Sequence, residues 1–235
     1  MTKARGRRAA PPPPPRKRPS TLVALSALAL GGGVLLIAVA MLLRPAPPAT
    51  TSVAPVASAV ADLPTDGYTL GRADAPVTVH LYEDFQCPAC RHWGTTVFPS
   101  LAANELASGR AKLVFHDFPF IGPESFVAAG AGQAAARQDR FWDLWATIYA
   151  NQGPENSGAL SKERLVGMAR ATTGLDVDRF VADMDRAEVG PAIAASAADA
   201  ARLGVDSTPT LIIGGHRLVG ASYADVASAI ADAAH

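Results

Sequence analysis

From Thr21 to Leu43 the chain reads TLVALSALALGGGVLLIAVAMLL, 23 residues without a charge. At about 1.5 Å per residue a helix of that length covers roughly 35 Å, enough to cross a hydrocarbon core of about 30 Å. Gly31, Gly32 and Gly33 would weaken a soluble helix, but glycine is commoner in membrane spans. Seven basic residues (Lys3, Arg5, Arg7, Arg8, Arg16, Lys17, Arg18) precede the run, and only Arg44 follows closely. The positive-inside rule then expects a single-pass protein of the cell membrane, N-terminus cytoplasmic, with everything after the span extracytoplasmic. The expected division is a basic, Pro-rich tail over 1–20, a transmembrane helix over 21–43, a Pro/Ala-rich semi-extended linker over 44–65, and a folded domain over 66–235. Pro11–Pro15 suits a short polyproline II rod within a disordered tail. Ala59-Val60-Ala61 resembles a leader-peptidase site, but the apolar run exceeds the 7–15 residues of a signal core, so an uncleaved anchor is expected.

The 21 basic and 21 acidic residues cancel overall, yet they are segregated. From Asp62 onward there are 13 basic and 21 acidic residues, a net charge of −8. The basic cluster is confined to the tail, which argues against a nucleic-acid partner for the folded part. Apolar residues make up 49% of the chain, ample for a core. Two cysteines rule out a disulfide-rich scaffold, and also a zinc ribbon made within one chain.

Val77–Tyr82 alternates like a short strand after Ala75-Pro76. A helix is expected from about Cys87 to Ala107, ending before Gly109. Lys112–Phe118 reads as a second strand, closed by Pro119. Residues 124–203 are Ala-rich with helical spacing and breaks at Gly153-Pro154, Gly174 and Gly190-Pro191, giving four or five helices. Thr210–Ile213 and His216–Val219 read as strands joined by the turn pair Gly214-Gly215, and Tyr223–Ala234 as a closing helix. A strand–helix–strand unit separated from a hairpin and helix by a helical block predicts an α/β sandwich with a helical insertion.

The functional signal is Cys87-Pro88-Ala89-Cys90, which follows a strand and opens a helix. Cysteines at i and i+3 share a helix face about 5–6 Å apart, within the 4.4–6.8 Å Cα range of a disulfide. The pair can open and close with little backbone movement. Cys87 is placed near the N-cap, where unpaired N–H groups and the helix dipole stabilise a thiolate. A stabilised thiolate favours the dithiol and makes the disulfide a stronger oxidant. Cys90, one turn in, is expected to be more buried and to act as the resolving thiol. Pro88 suits the first helical turn, because its missing N–H would be unpaired there anyway. Three blander readings compete. A structural disulfide closing a four-residue loop contributes only roughly 2 kcal/mol. Half a zinc site lacks a second Cys-x-x-Cys, although His92 is close in sequence. The pair could also be buried and inert. The redox reading is preferred, with no metal and no cofactor beyond the Cys87–Cys90 pair itself.

Thr208-Pro209-Thr210 stands at the start of a strand, where proline cannot donate to a ladder. With it, the chain resembles the DsbA-like branch of the thioredoxin superfamily, of the bacterial extracytoplasmic type with an N-terminal anchor. The resemblance rests on Gly71 with Asp74-Ala75-Pro76-Val77, on Asp84-Phe85-Gln86-Cys87-Pro88-Ala89-Cys90, on Phe141-Trp142-Asp143-Leu144-Trp145 and on Gly204-Val205-Asp206-Ser207-Thr208-Pro209-Thr210, and covers about 66–234. It implies a thioredoxin-like fold with a helical insertion at about 123–203. It further implies a cis Pro209 beside the cysteines, and Thr208 offering backbone groups to an extended peptide by strand addition. Pro88 and Ala89 then support the active site, Ala89 by influencing the redox potential.

The implied activity is thiol–disulfide exchange: a substrate thiolate attacks Cys87, and a second substrate thiol resolves the mixed disulfide. The implied partners are reduced secreted or envelope proteins and a membrane oxidase that takes the electrons. The protein is expected to be a monomer. A reductase or isomerase with the same cysteines, a tethered peptide-binding module and a metal-carrying thiol protein are the alternatives.

One departure stands out. Many relatives carry a buried acid six positions before the first cysteine, as proton acceptor for the resolving thiol; here that residue is Leu81. Glu83 and Asp84 are read as lying at a different strand phase, solvated and supplying charge at the helix N-terminus. No general base is assigned, and proton transfer is left to water or to Glu83 if it turns inward. Phe141, Trp142, Trp145 and Tyr149 recur at helical spacing and are read as core. His92 is expected to be mostly neutral at pH 7, without a redox role.

Overall fold

A computed structural model describes residues 54–235. The expected tail (1–20), membrane span (21–43) and first part of the linker lie outside the described residues. Among the described residues no helix is long and apolar enough to cross a membrane.

The chain enters through helix α1 (Ala54–Ala61) and two short strands, β1 (Thr65–Asp66) and β2 (Thr69–Leu70). The semi-extended linker expected over 44–65 is therefore helical in part. Val56 and Val60, spaced i, i+4, share one helical face and are buried in the main core.

Strand β3 (Val77–Glu83) leads into α2 (Pro88–Thr96) and α3 (Phe98–Leu101), and the chain then returns as β4 (Ala111–Asp117). The single helix expected over 87–107 breaks at Val97. Pro99 cannot donate a backbone hydrogen bond, and its ring would collide with the carbonyl four residues earlier. A wider helical turn, Ala102–Leu106, closes the segment before Gly109, whose φ of +73° suits a helix end.

The insertion supplies five helices: α4 (Pro123–Ala136), α5 (Phe141–Ala150), α6 (Lys162–Ala171), α7 (Val177–Met184) and α8 (Val189–Arg202). Gly190-Pro191, expected as a break, falls inside the first turn of α8, where a proline costs no hydrogen bond. Strands β5 (Thr210–Ile213) and β6 (His216–Val219) follow, and α9 (Tyr223–Ala233) closes the fold. Gly214 and Gly215 both have positive φ, 55° and 83°, as the hairpin turn requires.

The six strands are ordered β1-β2-β4-β3-β5-β6, with β3 and β4 parallel at the centre. Side chains alternate along both central strands. Val77, Val79, Leu81 and Glu83 on β3, and Ala111, Leu113, Phe115 and Asp117 on β4, are all buried. The aromatic stripe of α5 packs into this core: Phe141, Trp142, Trp145 and Tyr149 are each at most 1% exposed. Gly132 on α4 suits that packing, since a Cβ there would stand 3.1 Å from Phe141 and press on its ring. The parallel pair β3 and β4 ends at Glu83 and Asp117, and there the functional residues gather.

Candidate active site

The strand-to-helix turn is built by one carboxylate. Asp84, directly after β3, is 1% exposed and accepts four hydrogen bonds. Its Oδ1 takes the Gln86 N–H at 2.8 Å and the Ser125 hydroxyl at 2.7 Å. Its Oδ2 takes the N–H groups of Phe120 and Ile121 at 2.9 and 3.0 Å. The Asp84 carbonyl accepts from the Cys87 N–H at 2.9 Å, completing the turn. The expectation that Asp84 is solvated is overturned. Its donors come from the β4–α4 loop and from α4, which the insertion folds against the turn.

Cys87 is the N-cap of α2, with extended backbone (φ −68°, ψ 118°), and Pro88 occupies the first turn as expected. The Cys87 sulfur lies 3.5 Å from the carbonyl oxygen of Thr208, and the Thr208–Pro209 peptide bond is cis. The structure thus brings together Cys87, Cys90, Thr208 and Pro209, from segments more than 100 residues apart. Both cysteines are free thiols. Cys87 keeps 7% exposure and Cys90 has none, the asymmetry expected of an attacking and a resolving thiol.

Electrostatics separates the two further. Cys87 is pushed down from 9.0 to about 6, first by the hydrogen bond from the Cys90 thiol. The Thr208 side chain and the backbone N–H groups of Cys90 and Ala89 add to this, against burial. The leading cause is therefore the neighbouring thiol, with the helix-start amides contributing less. Cys90 is raised well above its ordinary value by burial, by donation to Cys87 and by the nearby Glu83 charge.

Glu83 is the second correction. It lies two residues after Leu81, hence on the same face of β3, and is 1% exposed. Its Oε2 accepts from Trp145 Nε1 at 2.8 Å and from the Tyr149 hydroxyl at 3.0 Å. Its Oε1 is buried without a hydrogen-bond partner. Burial lifts its pKa from 4.5 to about 8, although both hydrogen bonds oppose the rise. The chain thus places a buried acid beside Cys90 from a strand position other than Leu81. His92, by contrast, is exposed.

The insertion also holds the turn through residues that the sequence did not single out. The Gln152 amide donates to the carbonyls of Phe85 at 2.8 Å and Cys87 at 3.1 Å. The Gln86 side chain donates to Ser125 and Asn156 and accepts from the Asn156 N–H. Only Trp145 and Tyr149 had a sequence signal, as members of the aromatic stripe with polar tips. Among the described residues no group of three or more His, Cys, Asp or Glu side chains is placed to hold a metal ion.

Comparison with known proteins agrees with this geometry. A protein-family model described as thioredoxin matches residues 64–232, most of the chain. The chain belongs to the thioredoxin family. Within it, the chain is a DsbA-like thiol–disulfide oxidoreductase. A relative from Bacillus cereus, a probable disulfide bond formation protein D, is 33% identical over 151 residues, covering 63% of this chain and 70% of its own length. A Na(+)/H(+) antiporter NhaA from Herminiimonas arsenicoxydans is 34% identical over 163 residues, 69% of this chain but only 25% of the antiporter. The crystal structure of oxidised BdbD from Bacillus subtilis superposes with a TM-score of 0.66 at 23% identity, covering 72% of this chain and 93% of BdbD. That likeness shares the thioredoxin-like fold with its helical insertion.

Proposed function

We propose that this oxidoreductase works as an extracytoplasmic oxidase, introducing disulfides into reduced secreted or envelope proteins through Cys87 and Cys90. The observation that carries the reading is the split between a Cys87 thiol held near 6 and a Cys90 thiol pushed far above it. Stabilising one thiolate stabilises the dithiol state, which makes the disulfide a stronger oxidant. The name of the Bacillus cereus relative points the same way.

The cycle starts with the Cys87–Cys90 disulfide. A substrate thiolate attacks Cys87, and the Cys90 sulfur leaves with the bonding electrons. Cys90 cannot remain a thiolate in its dry site, so it takes a proton from Glu83, which with a pKa of about 8 is protonated at pH 7. A second substrate thiolate attacks the substrate sulfur of the mixed disulfide and expels Cys87, the better leaving group because of its low pKa. The substrate dithiol has lost two electrons and the enzyme pair has gained them. A membrane oxidase then accepts them from the dithiol. In that return step Cys90 gives up its proton, and Glu83 accepts it only after its own proton has passed to solvent.

The Thr208 carbonyl lies beside the Cys87 sulfur, and backbone groups there suit an extended peptide with little sequence selection. The anchor read over 21–43 would keep the domain and its oxidase in one membrane. A stretch similar to this domain within a protein named as an antiporter is compatible with work at a membrane surface. The binding-module alternative calls for a Cys87 thiol of ordinary acidity; the lowered Cys87 pKa argues against it, and a thiol titration discriminates the two.

The test is oxidative refolding of a reduced substrate protein, together with the reduction potential. Activity that is lost in Cys87→Ser and a potential near −120 mV support the oxidase; a potential near −270 mV makes the protein a reductase instead.

A further inference from the structure

We infer that Gln152, on the loop that follows α5 in the insertion, is a positioning residue for the Cys87 thiolate: its amide ties the carbonyls of Phe85 and Cys87 and so fixes the peptide plane at the start of α2. The inference rests on the oxidoreductase chemistry proposed above and adds a residue to it.

Gln152 reaches the turn from 65 residues away and places both contacts on the backbone around the nucleophile, 2.8 Å to Phe85 O and 3.1 Å to Cys87 O. The Cys87 carbonyl is the first acceptor of α2, bonded by the Arg91 N–H at 3.2 Å. Pro88 has no N–H, so only the amides of Ala89 and Cys90 face the sulfur. With only two such donors, their aim depends on the orientation of the Cys87–Pro88 peptide plane, and Gln152 holds the oxygen of that plane. The amide also brings the positive end of its dipole to the N-terminal end of the helix, where positive charge favours a thiolate.

The contact is not what keeps the loop in place. Asn156 N–H donates to Gln86 Oε1 at 2.6 Å, and the Glu124 carboxylate accepts from the N–H groups of Gly158 and Leu160 at 2.6 and 2.8 Å. Removing the Gln152 amide therefore leaves the loop anchored and changes what surrounds the Cys87 backbone.

Two variants of the full-length protein separate the electrostatic role from a packing role. Gln152→Met keeps the length of the side chain without its donors, and Gln152→Lys keeps a donor and adds a full positive charge. The readouts are thiolate absorbance against pH in the reduced protein, and redox equilibrium with glutathione.

Dipole contributions at a helix end correspond to a factor of about two to five in an equilibrium constant. Gln152→Met is expected to lower the thiolate-to-thiol ratio by that factor and to make the potential more negative by about 10–20 mV. Gln152→Lys is expected to titrate at or below the parent. The assignment is overturned if Gln152→Met titrates like the parent, or if both variants shift in the same direction by similar amounts. A parent that titrates near 6 but exchanges no disulfide with glutathione overturns the oxidoreductase reading instead, and the order of the variants' titrations still decides the role of Gln152.

Discussion

Replacing Glu83 by Gln is expected to make the protein more stable at neutral pH while slowing its chemistry. The carboxyl titrates near 4.5 in the unfolded chain and near 8 in the fold. Between those values the unfolded state releases a proton that the folded state keeps, so the parent loses stability as pH rises. Each pH unit in this window contributes about 1.4 kcal/mol, so from pH 4.5 to 7.5 the loss reaches about 4 kcal/mol. A glutamine occupies nearly the same volume, can accept from Trp145 or Tyr149, and has no proton to release.

Parent and variant should therefore have nearly equal stability at pH 4.5 and differ by about 2–4 kcal/mol at pH 7.5, the variant being the more stable. Urea unfolding of both proteins, kept reduced, at several pH values measures the gap. The low pKa of Cys87 makes its own contribution to pH dependence, but that is common to both proteins and cancels in the difference. The same variant should slow by tenfold or more the step in which Cys90 gains or loses its proton. A stability gap that does not widen with pH would refute the claim that Glu83 is a buried, protonated acid.

Cys90→Ser should trap a mixed disulfide between Cys87 and substrate, visible as an added mass on the intact protein. In the parent, thiolate absorbance should titrate near pH 6, and the dithiol should gain stability over the disulfide as pH rises from 6 toward 9, because folding lowers the Cys87 pKa. Asp84→Asn should destabilise the fold by about 3 kcal/mol or more, since an amide cannot accept from two donors on each side; denaturant midpoints would show it. On the opposite face of the sheet, His116 is packed beside His80 at 2.9 Å and is held near 4, first by burial and then by repulsion from His80. Asp199 opposes this shift. Folding lowers this pKa, so the parent should lose stability as pH falls from 6.5 toward 4, and His116→Gln should flatten that loss in the same denaturation series.

What the sequence made legible was local. The alternation of Val77–Tyr82 marked a central strand, and Gly214-Gly215 marked a hairpin whose backbone has the expected positive φ at both glycines. Cys87 and Cys90 announced themselves by standing between a strand and a helix. The break at Val97 was signalled by Pro99, but helical periodicity beyond it masked the signal. Glu83 was misread because an acid at a strand end is ordinarily solvated. Two residues after Leu81 it must share that residue's buried face, and only α5, more than fifty residues later, seals it there. Asp84 became buried for a similar reason, through donors on the loop and helix that follow β4. Gln152 and Asn156 lie on a loop without periodicity, and nothing in their neighbourhood tells that they reach back to the turn.

The groups that complete the active turn are remote in the chain: Trp145 and Tyr149 lie 62 and 66 positions beyond Glu83, and Asn156 lies 70 beyond Gln86. As the polypeptide emerges from synthesis or export, the cysteine pair appears well before the residues that enclose it. Until those arrive, Cys87 is an ordinary thiol and Glu83 an ordinary acid. The difference in acidity between the two thiols is thus an acquired property of the finished fold.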